Sequence, residues 1–167
     1  MSFYLYLMRH AKSDWSDPGT SDYDRPINHR GQKNAKRVGV WMVDNDFFPE
    51  KIVSSPAVRA RQTAELLIQQ LNNVNLEKVQ FDKDLYLASV DTLIECIQLY
   101  KSDLNSLMLI AHNPGMEQLV NYLLNTNAGM VNITTANLAI IEFSKIDFDP
   151  EVDKGELIEL IKPKELK

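Results

Sequence analysis

The chain opens on an unbroken apolar run, Phe3-Tyr4-Leu5-Tyr6-Leu7-Met8, short and rich in strand formers, which predicts a buried strand over 3–8. Lys51-Ile52-Val53-Ser54 and Leu107-Met108-Leu109-Ile110-Ala111 have the same character, and Val79-Gln80-Phe81 is a weaker strand between them. Elsewhere the apolar positions fall at helical spacing. Asn28 is the predicted N-cap of a helix whose buried face is Ala35, Val38, Trp41 and Met42. After Pro56 a stripe of Ala60, Ala64, Leu67 and Leu71 marks a second helix, and Leu93, Ile97 and Tyr100 a third. Met116, Leu119, Val120, Leu123 and Leu124 repeat the same three-and-four spacing. Residues 137–143 and 156–161 read as a closing strand pair, joined by a turn that contains Asp, Pro and Gly.

Strands alternating with helices imply right-handed crossovers and a mainly parallel sheet covered on both faces. The predicted fold is therefore α/β, a three-layer sandwich with an antiparallel edge from the closing pair. No repeat, low-complexity tract or long linker interrupts the 167 residues, so 1–167 is read as one domain.

Composition narrows the function more than the fold. With 44% hydrophobic and 25% charged residues the chain is an ordinary soluble type. A net charge of −5 argues against nucleic acid or an anionic membrane as partner, since both call for a basic surface. Any anionic substrate must be held by a local cluster of cations. The one cysteine, Cys96, permits no intrachain disulfide and is expected to pack in the core. There is no basic leader and no apolar run near the roughly 20 residues needed to cross a bilayer, so a cytoplasmic location is expected.

Ligands of open α/β sheets bind beyond the carboxyl ends of the strands. Three strands here run into cations there: the first into Arg9-His10, the second into Ser54-Ser55-Pro56-Ala57-Val58-Arg59, the fourth into His112-Asn113-Pro114-Gly115. Each residue alone reads as a surface ion pair or a structural histidine. Together, on neighbouring strands, Arg9, His10, Arg59 and His112 would converge on one rim and suit a phosphoryl group, because guanidinium forks match phosphate oxygens. A helix starting near Pro114 would add its N-terminal amides.

The same segments carry a resemblance. Leu7-Met8-Arg9-His10-Ala11 resembles the Arg-His-Gly signature of the histidine phosphatase superfamily, with Ala11 a small-for-small replacement of the glycine. Ser55-Pro56-Ala57-Val58-Arg59-Ala60-Arg61-Gln62-Thr63 is similar to the second signature of that superfamily, and Ala111-His112-Asn113-Pro114-Gly115 to the third. Arg25-Pro26, Leu85-Tyr86-Leu87-Ala88 and Thr134-Thr135-Ala136-Asn137 also resemble the SixA-type phosphohistidine phosphatases, and the match runs from residue 3 to about residue 143. The resemblance implies a phosphoglycerate mutase-like fold, His10 as nucleophile, and Arg9, Arg59 and His112 as the phosphate clamp. It adds Ser13 as a residue lining the phosphate pocket. It implies no cofactor and no metal, and the three histidines and the cysteine show no metal-ligand spacing.

Superfamily members acting on esters carry a glutamate after the third strand, where this chain has Phe81-Asp82-Lys83-Asp84-Leu85-Tyr86, and Lys12 fills a second common acidic position. An alkoxide leaving group needs a proton, whereas imidazole leaving phosphohistidine can already carry one. The gap favours a phosphohistidine-bearing protein as substrate and partner. A small phosphate ester, with Asp14 or Asp84 recruited as acid, is the alternative, and a phosphate-binding regulatory module without turnover is a third. Trp15 is expected near the pocket mouth, and Arg25 either reaches the pocket or pairs with Asp22 or Asp24, the ion pair being favoured. The oligomeric state is left open.

Overall fold

The structure is a computed structural model, and it describes residues 1–72, 76–124 and 129–166. Six strands form one sheet: β1 (Phe3–Arg9), β2 (Ile52–Ser54), β3 (Val79–Phe81), β4 (Ser106–Ala111), β5 (Leu138–Phe143) and β6 (Glu156–Ile161). The order is β3-β2-β4-β1-β5-β6; β1, β2, β3 and β4 are mutually parallel, while β5 runs antiparallel to both β1 and β6. The sheet is thus parallel at its centre, with the expected antiparallel pair at one edge. That edge strand keeps Glu156 and Glu159 exposed, charges that discourage pairing with another chain.

Helices α1 (His29–Asp44) and α2 (Val58–Gln70) cover one face, and α3 (Val90–Tyr100) and α4 (Gly115–Leu123) the other. The strand alternation divides the core between them. Tyr6, Met8, Met108 and Ile110 pack towards Ala35, Val38, Ala64 and Leu67; Leu5, Leu7, Leu107 and Leu109 pack towards Leu93, Ile97, Met116 and Leu119. Because both faces are covered, β1 and β4 lack polar alternation, the pattern of a central parallel strand. Asn28 caps α1 as expected, its side chain accepting from the Gly31 amide at 2.8 Å. Leu71 and Leu124 were expected inside helices, but each is the extended C-cap residue that follows one.

Strand neighbours β1 and β4 send the chain to opposite faces, β1 into α1 and β4 into α4. Such a reversal opens a crevice at the carboxyl end of the two strands. The register sets Arg9 beside Ala111 and Ser54 beside Ile110, so the residues following all three strands emerge side by side. Among the described residues no helix is long and apolar enough to cross a membrane.

Candidate active site

His10 and His112 leave β1 and β4 at the crevice, and their rings lie 5.1 Å apart. His10 is 7% exposed, Arg59 5% and His112 2%, so the cluster is buried beneath the rim. His10, His112 and Arg59 converge as expected, and Arg9 lies close enough to both rings to act on their charge.

Hydrogen bonds fix the orientation of each ring. His10 Nδ1 lies 2.7 Å from the Ala11 carbonyl oxygen, an acceptor only, so Nδ1 carries the proton and Nε2 the lone pair. Arg59 Nε points at that Nε2 from 3.4 Å. His112 Nε2 lies 2.7 Å from Ser55 Oγ, which also accepts from the Ala57 amide at 3.3 Å. Among the described residues the Ser55 hydroxyl has no other acceptor for its proton, which assigns that proton to His112 Nε2 and the proton of His112 to Nδ1. That Nδ1 and the Nε of Arg9 are buried without a hydrogen-bond partner, as are the Nε of Arg25 and the Nδ2 of Asn137. Arg9 is anchored at its other end, where Nη1 donates to the Ile133 carbonyl at 3.1 Å.

One threonine joins the two halves of the cluster. Thr63, one helical turn beyond Arg59, donates its hydroxyl to the Arg59 carbonyl at 2.7 Å and accepts from the Ala11 amide at 2.9 Å. Arg59 is held further by Asp22, through Nη1 to the Asp22 carbonyl at 2.6 Å and Nη2 to Oδ2 at 3.1 Å. Tyr86 donates its hydroxyl to the same Oδ2 at 2.5 Å and sets its ring edge-on to His112, centroids 5.4 Å apart.

Electrostatics follow from this crowding. Burial, with Arg59 and Arg9 adding to it, holds His10 down at about 4 although its bond to Ala11 opposes the shift. Burial, then the neighbouring His10 and Arg59, holds His112 down at about 3. Both rings are neutral at pH 7. The Tyr86 hydrogen bond, aided by Arg59, keeps the Asp22 carboxyl below the usual carboxylate range.

Other expectations meet the structure differently. Ser13 lies in the loop after His10, and what ties it is backbone: an antiparallel bridge with Ile27 and its carbonyl accepting from Asn28. Arg25 forms no ion pair with Asp22 or Asp24. It is 6% exposed, donates to the carbonyls of Asp14 and Thr20, and stacks 3.7 Å over Trp15, which is 70% exposed. Asp14 accepts from the Ser16 amide within its own turn, and Asp82, not Asp84, caps the turn after β3. Ser55, Thr63 and Tyr86 had no assigned role, and Asp22 was expected only as a partner of Arg25. Three of them lie inside or beside matched segments, and Thr63 was findable as the residue one turn from Arg59. Among the described residues no three His, Cys, Asp or Glu side chains gather into a metal cluster.

Residues 5–86 match the model of the histidine phosphatase superfamily, branch 1. An uncharacterized chloroplastic protein of Arabidopsis thaliana is 29% identical over 145 residues, which cover 83% of this chain and 65% of the relative. An uncharacterized protein of Mycobacterium tuberculosis is 33% identical over 108 residues, 64% of this chain and 63% of the relative. The chain thus spans just under two thirds of the length of these relatives. A crystal structure from Agrobacterium tumefaciens described as the phosphohistidine phosphatase SixA is 27% identical, with a TM-score of 0.80 over 96% of this chain and 98% of that one. The protein histidine phosphatase SixA complexed with tungstate has a TM-score of 0.82 at 23% identity, over 99% and 100%. A phosphoglycerate mutase from Bacillus anthracis shares the fold, with a TM-score of 0.64 at 14% identity over 94% and 92%. Over residues 5–86 the chain is similar to the histidine phosphatase superfamily, and along nearly its whole length it resembles SixA-type phosphohistidine phosphatases.

Proposed function

We propose that the chain is a phosphatase that takes a phosphoryl group onto Nε2 of His10 and passes it to water, with protein phosphohistidine as substrate. The observation that supports this most is the tautomer of His10. The Ala11 carbonyl occupies Nδ1, so the lone pair sits on Nε2, beside Arg59 and opposite His112. In this reading Arg9 and His112 turn their unpartnered Nε and Nδ1 protons to the phosphoryl oxygens, Arg59 supplies its guanidinium, and Ser13 lines the seat.

The first step forms a bond from His10 Nε2 to phosphorus and breaks the substrate P–N bond, whose electrons return to the leaving nitrogen. A substrate imidazole protonated on its other nitrogen departs neutral and needs no acid. In the second step water attacks phosphorus, the P–Nε2 bond breaks, and phosphate leaves with the protons of the water. The proton on Nδ1 stays with the Ala11 carbonyl throughout, so phospho-His10 also releases a neutral ring. As written, the reaction draws on no metal and no cofactor.

The leaving group decides between substrates. Asp22 is the carboxylate nearest the clamp, and Tyr86 and Arg59 hold it ionised, so it has no proton for an alkoxide. Losing general-acid help costs about 10²–10⁴-fold, which weighs against phosphate esters. A non-catalytic binding module would have no use for an oriented Nε2. The chain acts as one domain in this reading, and a reducing cytoplasm suits its buried Cys96.

The test compares a phosphohistidine peptide, phosphoramidate and p-nitrophenyl phosphate under one condition. We expect kcat/KM for the P–N substrates to exceed that for the ester by at least about 10²-fold. Preference for the ester overturns the reading.

A further inference from the structure

Away from the histidines, a cleft of about 440 Å³ lies between α1 and the segment after β6, lined by His29, Arg30, Lys33, Asn34, Arg37 and Lys164. Four of the 18 lysines and arginines of the chain line this cleft and none of its 23 acidic residues does. Among the described residues no carboxylate comes within ion-pair distance of these cations; the ion pairs are Arg59–Asp22 and Lys145–Asp153. Asn34, only 7% exposed, gives the cleft a polar wall.

This arrangement works against α1 itself. His29 and Lys33, and Lys33 and Arg37, stand four residues apart, a spacing at which like charges destabilise a helix once histidine is protonated, and always for Lys33 and Arg37. The first turn of α1 holds no acid, although acids are favoured there by the helix dipole. A protein with surplus acid has nevertheless left this face uniformly basic. Local rules broken without a structural gain mark sites that serve something outside the chain.

The cleft opens at the same rim as the candidate active site. Leu138 pairs with both Met8 and Ile161, so β6 ends level with the end of β1, and Lys164 follows three residues on. The first turn of α1 rests on the backbone two residues beyond His10. Asn28 donates its amide to the Lys12 carbonyl at 2.8 Å, and a Cβ on Gly31 would lie 2.5 Å from that oxygen. From residue 29 to residue 37 the cations extend along about 12 Å of helix. A single phosphate is too compact to meet such a line, whereas about four residues of extended acidic chain match it.

We infer that this cleft docks an acidic segment of the phosphorylated partner protein while the phosphoryl group enters the histidine site. The inference rests on the phosphoprotein reading above, because a small substrate has no flanking segment to dock.

Two measurements test it. Fluorescence anisotropy of a labelled, unphosphorylated hexaglutamate peptide should show binding that weakens as salt rises. The triple variant Arg30→Ala, Lys33→Ala, Arg37→Ala should weaken it at least tenfold, and a hexaglutamine peptide should not bind. Equal binding by the variant, or capture of tripolyphosphate but not of the acidic peptide, overturns the cleft assignment. In turnover, glutamate flanks on a phosphohistidine peptide should lower KM for the parent protein but not for the triple variant, and phosphoramidate hydrolysis should be the same in both. If neither peptide is turned over, the phosphoprotein reading falls, and the anisotropy result still decides the cleft on its own.

Discussion

The Asp22 carboxylate lies on the fork of Arg59, with Oδ2 3.1 Å from Nη2, so an anion enters a seat whose guanidinium already has a negative partner. Tyr86 keeps that carboxylate in place. Asparagine preserves the acceptor while removing the charge. Asp22→Asn should therefore tighten binding of tungstate several-fold in calorimetry, and unchanged or weaker binding would show that Asp22 does not oppose the anion.

His10→Ala should reduce turnover of a phosphohistidine peptide by at least about 10³-fold, the scale seen when a nucleophile is lost. The circular dichroism spectrum should stay that of the parent. Turnover near the parent rate would remove His10 from the chemistry.

Arg59→Ala should cost about 2 kcal/mol or more of transition-state stabilisation, read as a fall in kcat/KM of roughly thirtyfold. Arg59→Lys should recover little, because an ammonium cannot reach His10 and both Asp22 acceptors at once. Full rescue by lysine would reduce the clamp to a point charge.

Acid should weaken the fold through the two rings. Free histidine titrates near 6.5, whereas His10 is held at about 4 and His112 at about 3. Between these values the unfolded chain binds protons that the folded chain refuses. The stability is complete above about pH 6.5 and is lost as the pH falls, down to about 4 for His10 and about 3 for His112. Each ring should contribute a slope of about 1.4 kcal/mol per pH unit inside its window. Urea midpoints of His10→Gln from pH 7 to pH 5 should fall less steeply than those of the parent; identical slopes would refute the assignment.

Ser55→Ala removes the partner of a buried imidazole nitrogen, at a cost of about 1–3 kcal/mol in stability. It also frees His112 to place its proton on either nitrogen. We expect kcat to fall while KM for the peptide changes little, and rescue by Ser55→Thr. A loss of stability with kcat intact would limit Ser55 to packing.

The parts of this molecule that sequence could reveal are those with a local rule. Leu107 to Ala111 read as a central strand because both neighbouring layers bury it, and Asn28 read as a cap because its side chain bonds the next turn. His10 and His112 were legible together because strand ends share a rim. Asp22 was not, since its loop has no periodicity and its partner lies 37 residues away. Arg25 misled for the opposite reason: acids flank it in sequence, yet its buried guanidinium is satisfied by carbonyls that no pattern announces. Tyr86 stood inside a matched segment, but only the folded chain brings its hydroxyl to Asp22.

Because β1 and β4 hand the chain to different helical layers, each imidazole is rooted in a separate half of the core. Thr63 ties the Ala11 amide, next to His10, to α2, while His10 also donates its own amide to the Ala111 carbonyl of β4 and His112 contacts Ser55 ahead of α2. The two rings are therefore held to each other through β4 and the loop before α2 as well as by their own layers. The paired histidines thus sit where the two halves of the core are stitched together, and the geometry of the site depends on both halves holding at once.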